Sequence, residues 1–262
     1  MPLPSFGVCP LSVIPVRSTP SDKSEMVTQL LFGETFSIVE RRQQWIQIVV
    51  AADGYMGWID EKQFFPLSEA DFHDINNSQD HAYTADLINR VEMMGRKIPV
   101  LWGSSLPMYE YGEGRLGNLD YRFYGNTQSN DNTEVTSSDI VSHAKVFTDA
   151  PYLWGGRSLF GIDCSGFTQL VFKVSNIALK RDAYQQAEQG NLVEDFEDIR
   201  AGDLAFFARQ DERISHVGIV LENGEIIHAS GKVRTDRLDP SGILHSESGI
   251  CTHRLVMVKR MF

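Results

Sequence analysis

The sequence predicts an α+β protein: small β barrels, followed by a domain in which one helix lies against an antiparallel sheet. Three observations carry this reading. Residues 13–65 run as short strands with turn punctuation (SVIPVRS, VTQLLFGETFSIVE, WIQIVV, ADGYMGWID), the spacing of a small barrel. After Cys164, the apolar residues Phe167, Leu170, Val171 and Val174 recur on one helical face. In RISHVGIVLENGEIIHASG, residues 213–231, apolar and polar positions alternate on either side of a Glu222-Asn223-Gly224 turn, as in a hairpin.

The 262 residues suffice for one large or two to three small domains, whose cores need neither metal nor crosslinks. With 42% hydrophobic and 23% charged residues the composition is that of a globular protein, and no apolar run is long enough to span a bilayer, so no membrane partner is expected. A formal charge of −11 with scattered basic residues argues against nucleic acid and leaves small cationic or zwitterionic ligands open. The three cysteines, Cys9, Cys164 and Cys251, form no disulfide framework, and MPLPSFGVCPLSVIPVR has no basic leader. A cytoplasmic location is therefore expected. No glycine-rich phosphate loop, paired-cysteine site or HExxH helix occurs, so neither a metal nor another cofactor is expected.

In chain order, residues 1–65 read as the first barrel. Residues 66–135 read as a second small β unit, through IPVLW, LPMYEY and LDYRFYGN, with a linker in the polar, turn-rich GNTQSNDNTEVTSSD. Ser137 or Ser138 is suited to cap a helix in which Ile140, Val141, Ala144 and Phe147 recur. That helix opens the third domain, 136–262.

Within it, Gly161 breaks the chain ahead of the helix that Cys164 begins. Unpaired N–H groups and the helix dipole favour an anion there; a thiolate is the nucleophilic form of cysteine, and the same N–H groups suit an oxyanion. A free cysteine is commonly just a small buried hydrophobe, so the assignment needs a base elsewhere. The hairpin offers two. A two-residue Asn223-Gly224 loop would pair Ile219 with His228 and set His216 and His228 on opposite faces. A three-residue loop with Gly224 left-handed pairs Gly218 with His228 and Leu221 with Glu225, and makes the two histidines diagonal neighbours at roughly 7–8 Å between backbones. The second arrangement is expected, with Val217, Ile219 and Leu221 on the apolar face and His216 on the other. His216 then serves as general base and later acid for Cys164, while His228 orients His216 and fixes its tautomer.

APYLWGG (150–156), GIDCSGFTQLVF (161–172), AGDLAFF (201–207), SHVGIVL and IIHAS follow one another as in the NlpC-type cell-wall peptidases, which residues 136–262 resemble. These are papain-like enzymes with a Cys-His-His triad. VRSTPSDKSEMVTQLLFGE followed by DGYMGWI resembles a bacterial SH3-like domain. The resemblance implies Cys164, His216 and His228 as the triad, Tyr152 near the oxyanion hole, and Asp163 and Ser165 lining the substrate cleft. Members with leading SH3-like domains are often γ-D-glutamyl-L-diamino acid endopeptidases, which cut L-Ala-γ-D-Glu-diamino acid peptides with a free N-terminal L-Ala. A free ammonium needs acids to read it; Asp163 is one, and the family pattern adds Glu25 and Tyr55 from the first domain. Ala183, in RDAYQQ, stands where the family often has a substrate-contacting serine. His73, His81, His143, His245 and His253 match no motif and are read as structural or exposed. The expected function is hydrolysis of a small murein peptide in cell-wall recycling. Two alternatives stand beside it: another amide, such as a muramoyl-alanine linkage, and a decayed catalytic fold that only binds wall fragments.

Overall fold

Alternation governs the first sheet: Val13–Arg17 buries Ile14 and Val16, and Trp45–Val50 buries Ile46, Ile48 and Val50. A computed structural model describes residues 5–78, 81–129, 134–208 and 213–262. The chain divides into two units, Met1–Asn132 and Thr133–Phe262. In the first, a seven-stranded sheet runs in the order Met26–Leu31, Val13–Arg17, Met56–Asp60, Trp45–Val50, Thr35–Arg42, Phe6–Val8, Phe65–Leu67. The stretch VTQLLFGETFSIVE is broken into two strands at Gly33, whose φ of 79° suits a residue without a side chain. Cys9, Ile14, Leu30, Phe36 and Ile48 fill the barrel.

A second sheet, of four strands, is ordered Arg96–Leu101, Ile88–Met93, Leu119–Phe123, Glu113–Leu116. LPMYEY forms none of its strands; Met108 and Tyr111 there take left-handed turns at φ 51° and 50°. The boundary expected at 65/66 does not separate two bodies. It falls in the strand Phe65–Leu67, which pairs with Phe6–Val8, and one apolar cluster joins Val8, Phe32 and Leu67 to Val91, Val100 and Phe123. In the stretch expected as a linker, Thr127–Ser129 instead pairs with Ala82–Thr84, while residues 130–133 lie outside the described residues.

The second unit opens with the helix Ser137–Lys145. Its cap is Thr136 rather than Ser137 or Ser138: the Asp139 N–H donates to Thr136 Oγ1 at 3.3 Å, and the Asp139 carboxylate accepts from the Thr136 N–H at 2.9 Å. The thiol helix follows at Cys164–Lys173, with Phe167, Leu170, Val171 and Phe172 fully buried. Six antiparallel strands then close on themselves: Leu204–Ala208, Ile214–Val220, Glu225–Ser230, Lys232–Asp239, Gly242–Leu244 and Cys251–Arg260, the last pairing back with the first. Asn191–Val193 adds to the side of Cys251–Arg260.

Closure alters the expected hairpin faces. Val220 and Ile226, on the face that carries His216 and His228, pack with Ala205, Phe207, Leu238 and Ile243 in the barrel-lining cluster. Val217, Ile219 and Ile227, on the opposite face, are equally buried, and the thiol helix packs on these two strands from outside. Neither face is solvated. Among the described residues, no helix is long and apolar enough to cross a membrane. Thr136→Ala, which removes one half of the capping box, is expected to destabilise the protein by about 1 kcal/mol, read as a lower midpoint in urea unfolding.

Candidate active site

Asp163, extended at φ −92° and ψ 175°, caps the thiol helix by accepting from the Gly166 N–H at 2.7 Å, which makes Cys164 the first helical residue. Cys164 is only 6% exposed. Burial pushes its pKa up to about 12 and the Asp163 charge adds to this; the backbone groups of Val217 and Ser165 and the Arg181 charge work the other way. Burial therefore opposes the anionic form that the helix mouth was expected to favour. A base must take the proton. Among the described residues no protein acceptor meets the Cys164 backbone N–H, a donor that an oxyanion could use.

The hairpin takes the register with a three-residue turn. Gly218 pairs with His228, the Leu221 N–H donates to the Glu225 carbonyl at 2.8 Å, and both Asn223 (φ 59°) and Gly224 (φ 72°) are left-handed. His216 Nε2 and His228 Nδ1 consequently lie 2.8 Å apart with their rings nearly perpendicular, at 82°. Between Phe207 and Ala208 the pairing skips Ser215, a bulge directly beside His216. Bulges re-aim the side chains around them. The backbone of Val217, the next residue, is among the groups that act on the Cys164 thiol, and the thiol helix packs on this strand.

Two groups near these rings were not singled out by sequence. Asp236 Oδ2 lies 3.0 Å from His228 Nε2, and both side chains are almost wholly buried. Burial alone would raise the Asp236 carboxyl, but hydrogen bonds from His228, the Ser246 backbone and Arg234 hold it well below the usual carboxylate range. His253, read as structural or exposed, stacks on His216 at 4.3 Å between ring centres and 24° between planes.

Asp163 itself is fully engaged. Its Oδ2 accepts from Arg181 at 2.7 Å and the Gly155 N–H at 2.8 Å, and its Oδ1 from Arg181 at 3.0 Å and Gly166. Arg181 also donates to Ser165 Oγ at 2.9 Å. Four donors fill the lone pairs of one carboxylate, so Asp163 is a helix cap and ion-pair partner, not an acid open to a substrate ammonium, and Ser165 is buried with it. The segment RDAYQQ braces the same helix: Arg181 grips its start and Gln186 Nε2 donates to the Ser165 carbonyl at 3.0 Å, while Ala183 is buried. Tyr152 links the two halves of the site, its N–H donating to the Gly231 carbonyl at 3.0 Å and its backbone bridging to Ile162. Glu25 and Tyr55 belong to the N-terminal unit, where Glu25 is exposed and Tyr55 packs against the barrel core. No group of three or more His, Cys, Asp or Glu is placed to hold a metal among the described residues.

Residues 149–249 match the NlpC/P60 family model, and residues 16–64 match the bacterial dipeptidyl-peptidase SH3 domain. A γ-D-glutamyl-L-lysine dipeptidyl-peptidase of Bacillus subtilis is 31% identical over 215 residues, 77% of this chain and 71% of that protein. The chain belongs to the NlpC/P60 family. A Bacillus cereus protein of the same name is 28% identical over 244 residues, 84% of this chain and 72% of its own length. An NlpC/P60 family protein from Bacillus cereus, solved by crystallography, shares the fold with a TM-score of 0.80 at 22% identity, over 98% of this chain and 99% of that one. This NlpC/P60 protein is thus a cysteine peptidase with a papain-like catalytic domain behind SH3-like β domains.

Space at Gly218 is what admits the second imidazole of this NlpC/P60 site. A Cβ there would sit 2.9 Å from His228 Cβ and 2.8 Å from Ile226 Cδ1. Gly218→Ala is expected to shift His228 and lower kcat by about 100-fold, since misplacing a reacting group by an ångström has that effect. Steady-state kinetics beside thermal unfolding checks this: a folded variant with parental kcat would contradict it.

Proposed function

We propose that this peptidase cleaves the γ-D-Glu–diamino acid bond of murein peptides that carry a free N-terminal L-Ala, with Cys164, His216 and His228 as the triad. The observation that carries the reading is the 2.8 Å contact between His216 and His228 beside a helix-mouth thiol. His216 takes the Cys164 proton as the sulfur attacks the γ-carbonyl carbon. The carbonyl oxygen becomes an oxyanion, met by the Cys164 N–H at the helix start, with Tyr152 nearby. On collapse, the carbon–nitrogen bond breaks and His216 hands its proton to the leaving amine. Water, deprotonated by His216, then attacks the thioester; the acid is released and the proton returns to sulfur.

Both Bacillus relatives are named for a γ-D-glutamyl-L-lysine bond and for dipeptide release, which supports cleavage after the second residue of a free-ended peptide. With Asp163 tied to Arg181, the proposed readers of the ammonium are Glu25 and Tyr55. Short free-ended peptides are products of wall breakdown, and we assign the reaction to their recycling.

Purified protein is tested on L-Ala-γ-D-Glu-L-Lys and on its N-acetylated form. The free peptide is expected to release L-Ala-D-Glu, with kcat/KM for the blocked peptide lower by on the order of 100-fold, as loss of a buried charge contact implies. Equal cleavage of the two, or cleavage only of a muramoyl-L-alanine bond, overturns the reading. Glu25→Gln is expected to raise KM on the free peptide while leaving kcat nearly unchanged.

A further inference from the structure

The hydrogen-bonded chain does not end at the second histidine. His228 Nε2 meets Asp236 Oδ2 at 3.0 Å, and Asp236 is anchored from every other side. Its Oδ1 accepts from Arg234 Nη2 at 2.9 Å and from the Ser246 N–H at 2.8 Å, and Arg234 Nε lies 2.8 Å from Oδ2. Arg234 Nη2 also donates to Ser246 Oγ at 3.1 Å, which ties the guanidinium to the same loop. Arginine has only donors, and so does a backbone N–H. The surroundings therefore demand a carboxylate that only accepts.

We propose that Asp236 is a positioning residue that sets the tautomers of both histidines and so decides which nitrogen of His216 is the base. This follows from matching donors to acceptors along the chain, and it rests on His216 being the base of the proposed mechanism. An ionised Asp236 accepts, so His228 carries its proton on Nε2. His228 Nδ1 is then a bare lone pair, and the nitrogen facing it at 2.8 Å, His216 Nε2, must be the protonated one. This puts the lone pair of His216 on Nδ1, the nitrogen that the proposal makes the base for the thiol. When Nδ1 takes the Cys164 proton, the charge of the resulting imidazolium is met by His228 and, behind it, by the carboxylate. Asp236 itself gains no proton. A carboxylate thus stands one ring behind His228, the group expected to orient His216.

Replacement by asparagine should invert the whole chain. In Asp236→Asn the amide oxygen belongs at the Oδ1 position, which accepts the hydrogen bonds from the Ser246 N–H and Arg234 Nη2, whereas Arg234 Nε makes no hydrogen bond at Oδ2, so the NH2 group faces His228 Nε2. That nitrogen must now accept, the proton of His228 moves to Nδ1, His216 Nε2 accepts in turn, and His216 Nδ1 becomes protonated. A neutral ring in that state has no lone pair for the thiol.

The first test needs neither substrate nor a change at Asp236. Ring 15N spectra of the Cys164→Ala protein, in which no thiolate can keep the rings charged, are recorded above the pH at which the two rings become neutral. Both Nδ1 nitrogens of His216 and His228 are expected to be unprotonated and both Nε2 protonated; a proton on either Nδ1 overturns the proposal. The second adds Asp236→Asn to that protein, where the pattern is expected to reverse, and an unchanged pattern overturns it. Third, in Asp236→Asn with Cys164 intact, iodoacetamide labelling at pH 7 is followed on the Cys164 peptide, apart from exposed Cys251. Its rate is expected to fall by about 10²–10⁴-fold, the range for a catalytic histidine held in the wrong tautomer. A rate within a few-fold of the parent overturns it. Because no arm uses a peptide substrate, failure of the substrate assignment leaves these results readable.

Discussion

Two imidazoles on adjacent strands can meet at 2.8 Å only if those strands are held in one register. A slip of one residue would send His216 and His228 to opposite sides of the sheet. Several features hold the register against that slip. Asn223 and Gly224 take the left-handed conformations of a three-residue turn, Gly218 leaves the space that the His228 ring needs, and the next strand, Lys232–Asp239, continues the ladder as far as Asp236. A bulge at Ser215 lies directly beside the first of the two rings.

The nucleophile is prepared differently. A sulfur this deeply buried favours its neutral form, so proton removal has to be coupled to a nearby base rather than left to the helix dipole. The start of the helix is meanwhile clamped by a buried Asp163–Arg181 pair at 2.7 Å. Desolvating two charges consumes much of the attraction between them, so such a pair adds little net stability. What it does is geometric: Arg181 reaches Asp163 and Ser165 together, and Gly155 reaches the same carboxylate from the preceding loop.

The legible parts of this molecule were those encoded over short range. Helical spacing after Cys164 and alternation around Glu222-Asn223-Gly224 are local patterns, and they place the thiol helix and the hairpin where the structure has them. The misread parts depend on pairings between distant segments. Asp163 looked available because it adjoins Cys164 in sequence, but its fate is decided by Arg181, eighteen residues away. Asp236 and His253 approach the rings only once strands beyond the hairpin have paired with it, which alternation within one hairpin cannot reveal. Closure of the strands into a ring buries the hairpin face expected to be polar. In the first unit, the boundary at 65/66 failed because Phe65–Leu67 returns to pair with Phe6–Val8, a contact that turn signals do not announce.

The six strands that close on themselves also bear on how the site fails. An open sheet can peel from its outer strand inward, losing ladder bonds a few at a time while its centre persists. A ring has no outermost member from which to peel, so the strands holding the two imidazoles should keep their alignment until the whole ring gives way. Loss of catalytic alignment and loss of the fold would then be a single event in this half of the molecule.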